Sequence, residues 1–364
     1  MNLLLAFALI FLALLAAGVG IAAWETRRHR IRILPDERHM AVTEDGWRLA
    51  LHRYRPRSDG PGRGPVILCH GLLANRANLD LDERRSLARS LAAYGFDAWV
   101  IELRGAGLSR DAGDRRGLSR ITFDDYVRRD LPALIDTVCQ ETGWAKLQWV
   151  GHSMGGMLLY AYLSQRDDPR ITSAVTVASP VDFGVLARTS RKMLRLRPLL
   201  GLGWVPFGFV LRVLIPFFER SERGLLHLGL VRSNLRPGDV GDILVNVIEG
   251  FGAAGVLAQF GQWVEQGAFR SLDGTCAYDS LAQVRCPLLV IAAEHDLVAP
   301  PASVRPAVDR APAGEKVYRL FGTVSGNDRN YGHGDILLSD AARENVFPVI
   351  AQWLWRHAPP RPPT

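Results

Sequence analysis

From residue 66 onward the hydrophobic positions of this chain alternate between two rhythms. Largely apolar runs at 66–70, 97–103 and 146–151 read as buried strands. Between and after them, stretches at about 78–94, 123–141 and 154–165 carry the spacing of amphipathic helices. A strand at 171–178 follows, and strands at 287–293 and 316–321 resume the pattern, each with a helical segment behind it. Such alternation predicts right-handed crossovers and a mainly parallel sheet with helices on both faces. Ahead of it, 40–42 and 47–54 flank Asp45-Gly46, a turn pair that signals a hairpin.

Two segments fall outside this rhythm. Residues 3–24 are uncharged and almost wholly apolar, long enough to cross a bilayer, which takes ~20 residues. Only Met1 and Asn2 precede the run, whereas Arg27, Arg28, Arg30 and Arg32 follow it. That arrangement predicts a transmembrane helix whose basic flank, and hence the rest of the chain, is cytoplasmic, with Trp24 at the interface. The competing reading is a cleaved signal peptide with Gly20-Ile21-Ala22 as its small-residue site. The second segment, 181–275, reads as an inserted helical cap. Its centre, 199–218, is apolar apart from Arg212. As a second membrane span it is disfavoured by Pro206, Pro216, Gly201, Gly203 and Gly208. The remaining readings are a buried helix pair, or an acyl-chain pocket whose lips dip into the membrane beside Arg191, Lys192, Arg195 and Arg197. The expected organisation is an anchor with its basic flank at 1–32, core at 33–180, cap at 181–275, core again at 276–358 and a disordered tail at 359–364.

Composition alters this picture little. The 364 residues, 48% of them apolar, can bury a large core. The net charge of +7 rests on arginine, since Lys146, Lys192 and Lys316 are the only lysines. Such a bias points to a GC-rich coding sequence, and no basic motif interleaved with aromatics argues for nucleic acid. Cys69, Cys139, Cys276 and Cys286 have no metal or disulfide spacing.

The candidate chemistry lies in Gly151-His152-Ser153-Met154-Gly155-Gly156, directly behind the predicted strand at 146–151. Strand, G-x-S-x-G and helix together make a nucleophile elbow, in which serine is presented on a tight turn. The Met154 N–H then faces a developing oxyanion at the positive end of the new helix. A serine needs a base, and the base needs an orienting acid. Asp296, at the end of the strand at 287–293, is the expected acid. Asp182, after the strand at 171–178, is its rival, and Glu294 and His295 are neighbouring titratable groups. His333, in Tyr331-Gly332-His333-Gly334-Asp335, is the expected base. His152 fills the elbow as a structural residue. His70-Gly71-Leu72-Leu73 closes the strand at 66–70 and offers the Leu72 N–H as the second oxyanion donor.

With these residues in order, the chain resembles the serine α/β-hydrolase superfamily over roughly residues 40–357, the middle excepted. Arg104-Gly105-Ala106-Gly107-Leu108-Ser109 and His333-x-Asp335 match loop-shaping motifs of that superfamily. His70–Leu73 with Thr43-Glu44-Asp45-Gly46 is similar to the acid-lipase group, and Gly-His-Ser-Met-Gly-Gly to monoacylglycerol lipases. The resemblance implies an α/β-hydrolase fold and cleavage of carboxylic esters, lipid-type acyl esters among them, with no metal or organic cofactor. Acyl transfer or thioester hydrolysis on the same residues stays open, as does a non-catalytic module that binds lipid or a partner. Oligomeric state is not encoded legibly. Reporter fusions after Arg57 test the topology: a cytoplasmic signal is expected, and an active periplasmic phosphatase there would reverse it.

Overall fold

The computed structural model of the chain describes residues 3–57, 62–109, 120–189, 207–249 and 254–360. Eight strands form one sheet: β1 (Glu37–Val42), β2 (Arg48–Tyr54), β3 (Pro65–Cys69), β4 (Asp97–Ile101), β5 (Leu147–His152), β6 (Ile171–Val177), β7 (Leu288–Ala293) and β8 (Lys316–Phe321). Their order is β1-β2-β4-β3-β5-β6-β7-β8. The hairpin β1–β2 joins antiparallel to β4, and all pairs from β4 to β8 are parallel. In β3, β4, β5 and β7 every residue is buried, as their largely apolar sequences lead one to expect. At the edge, β8 is largely open to solvent. The chain reverses direction across the sheet between β3 and β5. The loops leaving their carboxyl ends therefore diverge and open a crevice between them.

The helices are α1 (Leu3–His29), α2 (Leu87–Ala93), α3 (Leu131–Thr142), α4 (Met154–Gln165), α5 (Phe183–Thr189), α6 (Phe207–Val213), α7 (Ile215–Phe218), α8 (Glu222–His227), α9 (Asp239–Asn246), α10 (Ala254–Gln266) and, after several short turns, α11 (Phe347–Arg356). One face of the sheet packs Trp99, Trp149, Phe123 and Met157, and the other packs Val66, Leu91, Ile350 and Trp353. Helix α3 is entered through a capping box of Thr122 and Asp125 and a π turn at Tyr126–Asp130, and it ends at left-handed Gly143.

Two expectations are revised, for the helix at 78–94 and for α1, while the apolar stretch disfavoured as a second span is indeed interrupted where it is described. The helix predicted at 78–94 exists only from Leu87, because carboxylates capture the preceding backbone. Asp82 accepts the amides of Arg84 and Arg85 at 2.9 and 2.7 Å, and Ser86 then caps α2. The apolar stretch ending at 218 is broken into α6 and α7, with Pro216 in the first turn of the latter, so this part is no continuous span. Residues 199–206, and the basic cluster Arg191, Lys192, Arg195 and Arg197, lie outside the described residues. Finally, α1 is not a free tether. It continues past Trp24 to His29, and Ala22, Glu25 and His29 are buried where it packs on α6 and α9. Around the rest of α1, Leu5 to Ile21, large apolar side chains are exposed.

The cap helices enclose a small core of their own, including Leu211, Ile215, Leu225, Val240 and Leu244. Helix α4 crosses β3 so closely that a Cβ on Gly155 would overlap the Cys69 carbonyl, and one on Gly151 would overlap the backbone of Gly155 and Gly156. Gly155→Ala should therefore cost about 3 kcal/mol of unfolding free energy in detergent, by urea titration; a loss below about 1 kcal/mol would mean that the helix slides off the strand freely.

Candidate active site

β5 delivers the chain to Ser153 with φ at 52° and ψ at −118°, a conformation that non-glycine residues rarely hold. The helix start forces this geometry: Ser153 donates its backbone N–H to the Val177 carbonyl of β6 at 2.8 Å, and α4 begins at the next residue. Its hydroxyl lies 2.9 Å from His333 Nε2. His333 Nδ1 in turn lies 2.7 Å from Asp296 Oδ2, whose side chain is fully buried. The other carboxylate oxygen accepts the amides of Val298 and Ala299 at 2.8 and 2.7 Å, so this buried acid is completely satisfied. With the carboxylate as acceptor, Nδ1 carries the imidazole proton and Nε2 faces Ser153 as an acceptor.

Asp182 is elsewhere. It caps the start of α5 through the Val185 amide at 3.0 Å and pairs with Arg310 at 3.3 Å. Glu294 holds the Val324 amide at 3.0 Å. The structure thus brings Ser153, His333 and Asp296 together and leaves these alternatives outside.

The base sits on a loop tied down from two sides. His295 donates its backbone N–H to Tyr331 at 2.9 Å, linking the acid loop to the base loop. Asp335 accepts from Gly332 N–H at 3.1 Å, from Val231 N–H at 2.8 Å and from Asn234 Nδ2 at 2.6 Å. Burial pushes its carboxyl up to about 6, against the pull of those donors. Gly334 donates to the Gly229 carbonyl at 2.7 Å. Gly229, Val231 and Asn234 belong to the cap, so the cap helps to hold the base.

On the other wall, the turn after β3 brings Leu72 beside the elbow: a Cβ on Gly71 would stand 3.2 Å from that of Ser153. Gly71 N–H is taken by Asn78 Oδ1 at 3.0 Å, and Leu73 is left-handed with φ at 57°. Met154 opens α4, where a backbone N–H has no helical partner. His70 serves the backbone. Its Nε2 accepts from Leu103 N–H at 3.3 Å, its Nδ1 donates to the Gly71 carbonyl at 2.8 Å, and burial lowers its pKa. Arg104 fixes the next loop from within, against Asp130 at 2.6 Å and Asp45 at 2.8 Å.

Three contributors escape sequence reading. Asn78 holds the turn after β3, Gly229 admits the base loop, and His152 does more than fill the elbow. Its Nε2 lies 2.9 Å from the His333 carbonyl, and its Nδ1 lies 2.9 Å from Asn78 Oδ1. A polar Asn75-Arg76-Ala77-Asn78 turn directly behind His70–Leu73 was the available signal for the first.

The family model described as alpha/beta hydrolase fold matches residues 64–323. The mouse (Mus musculus) gastric triacylglycerol lipase is 38% identical over 130 residues, 33% of this chain and 33% of the lipase. Lipase 3 of Drosophila melanogaster is 34% identical over 142 residues, 37% of this chain and 36% of its own length. The chain thus spans about a third of the length of the curated relatives it matches. Among solved structures, a thermophilic esterase from Thermogutta terrifontis superposes with a TM-score of 0.57 at 18% identity, covering 89% of this chain and 100% of the esterase. A monoacylglycerol lipase from Paleococcus ferrophilus gives 0.54 at 18% identity, covering 85% and 99%. At such identity these two likenesses speak for the fold alone.

Burial, then the nearby His333, lowers the His152 pKa to about 3. A histidine depressed from ~6.5 contributes stability that is complete above pH 6.5 and is lost as pH falls towards 3. Relative to His152→Gln, the wild type should therefore lose about 1.4 kcal/mol per pH unit below 6.5 in urea unfolding; a difference that stays flat from pH 7.5 to 5 would refute this.

Proposed function

The chain belongs to the α/β-hydrolase family, and on that footing we propose that it is a membrane-tethered serine hydrolase of carboxylic esters with apolar acyl chains. The observation that carries the reading is the hydrogen-bonded series Ser153, His333, Asp296, at 2.9 and 2.7 Å, with the serine on a strained elbow. Ser153 Oγ attacks the ester carbonyl as His333 Nε2 takes its proton, and Asp296 stabilises the resulting imidazolium. The Leu72 and Met154 N–H groups receive the negative charge on the carbonyl oxygen; losing one such donor typically costs ~3 kcal/mol. His333 returns the proton to the leaving alcohol, and a water activated by the same imidazole then releases the acid.

The membrane side of this reading rests on α1 and the cap. Within the candidate span 5–29, the most apolar 18-residue window has a mean hydropathy of 2.7, and only 6% of that window is buried. Arg28 stacks 5.0 Å from the Trp24 ring, an arrangement suited to an interface. Gly18 lies six residues deeper, about 9 Å along the helix, and there α1 meets α6: a Cβ on Gly18 would touch Phe209 at 3.7 Å. At that depth the exposed Val210, Leu214 and Phe217, spaced along one side of α6 and α7, face the acyl layer. Homology to triacylglycerol lipases over a third of the chain supports a lipid ester as substrate.

Because α1 packs on the cap, the test uses the full chain in detergent. Hydrolysis of p-nitrophenyl esters should rise with acyl length and fall at least about a thousandfold in Ser153→Ala. A Ser153-dependent optimum at the shortest esters would keep the mechanism and discard the lipid pocket. No Ser153-dependent turnover would sink the hydrolase reading, in favour of acyl transfer or binding.

A further inference from the structure

Helix α9 ends at Asn246, and this residue touches both the membrane helix and the turn beside the nucleophile. Its side-chain Oδ1 accepts the Ile31 N–H at 3.0 Å, and its Nδ2 donates to the His29 carbonyl at 2.8 Å. The chain leaving α1 is thus gripped on both sides. The backbone carbonyl of the same Asn246 accepts from Asn75 Nδ2 at 2.9 Å. Asn75 stands three residues beyond Leu72, and the contact continues along the strand-like segment behind α9. Asn75 N–H donates to Val247 at 3.2 Å, and Glu249 N–H donates to Leu73 at 2.8 Å. Ala74 and Ile248 pair as an isolated bridge. Leu73, held by that segment, is the left-handed residue next to Leu72. A non-glycine residue keeps such a conformation only where its surroundings over-determine it. Here the surroundings are the end of α9, and α9 is fixed in turn by His29, whose Nδ1 lies 2.9 Å from Asp242.

We propose that Asn246 is a positioning residue through which the seating of the membrane helix on the cap sets the Leu72 N–H. An unseated α1 leaves the Ser153–His333 pair intact but lets the turn at 72–75 relax, so the oxyanion loses a well-aimed donor. Membrane tethering and turnover are then linked inside the fold, beyond the delivery of enzyme to substrate. The proposal rests on the reading of Ser153 as nucleophile and Leu72 as donor.

Two variants of the full chain in nanodiscs test it. Asn246→Ala removes the side-chain grip on residues 29 and 31. Gly18→Leu keeps α1 apolar; its Cβ would already be in contact with Phe209 and Val213 at 3.7 and 3.8 Å, so the isobutyl atoms beyond it wedge the helices apart. For both, kcat on a soluble p-nitrophenyl ester should fall about ten- to a hundredfold. KM should stay within about twofold, because the lost interaction is made in the transition state. Amide exchange at 72–79 should quicken in both. An unchanged kcat, or a fall in melting temperature accompanied only by a raised KM, would reduce Asn246 to a structural contact and overturn the proposal. Should the wild type show no Ser153-dependent turnover, the hydrolase reading fails, and exchange alone decides the coupling: faster exchange at 72–79 upholds it, unchanged exchange ends it.

Discussion

The passage of α4 across the carboxyl end of β3 is the constraint on which the rest of the site depends. The helix can approach the strand's backbone this closely only where it carries no Cβ, and Gly155 against the Cys69 carbonyl meets that condition. The close approach bends the chain so sharply after β5 that Ser153 must take a positive φ. The same approach puts the turn after β3 beside the first amide of α4. Nucleophile and the proposed Met154 donor are therefore fixed by this one contact, which also sets where the turn carrying Leu72 starts.

Around that contact the fold solves a second problem, the satisfaction of polar groups in a dry wall. Three loops from three strands converge there, and each brings backbone donors and acceptors that need partners. Histidine and asparagine supply them. His70 ties the end of β3 to the residue after β4, His152 reaches the base loop, and Asn78 holds Gly71. Burial keeps His152 neutral across the ordinary pH range, so it orients without adding charge beside His333.

How much of this was legible in the sequence varies with the kind of interaction. The central parallel strands followed from largely apolar runs, because a doubly covered sheet needs them, and the β1–β2 hairpin from its Asp45-Gly46 turn. The elbow and the meeting of Ser153, His333 and Asp296 followed from strand-end positions, since parallel strands bring their carboxyl ends to one edge. Residues 79–86 were misjudged as helix because periodicity registers apolar spacing and ignores an aspartate that captures amides. Docking of α1 was invisible for a related reason. Glu25 and His29 look like part of a solvated basic flank, and only the fold brings Asp242 and Asn246 against His29.

That docking has an uneven chemistry. In the proposed membrane setting, the apolar length of α1 would gain little by choosing α6 over lipid, since acyl chains offer the same dispersion and no hydrophobic force favours the protein. Near its end the contact changes character. Arg85, 1% exposed, meets Asp82, Asp239 and Asp242, and Asp242 extends the network to His29. Burying these charges costs several kcal/mol per ion and is offset only by good geometry, so their net stabilisation is small. Their value lies in the penalty for error. A helix shifted by one turn, 5.4 Å in an α-helix, would leave Asp242 without its histidine and Asn246 without its two backbone partners. Apolar contact lets α1 associate with the cap, and the polar end decides the register in which it does so.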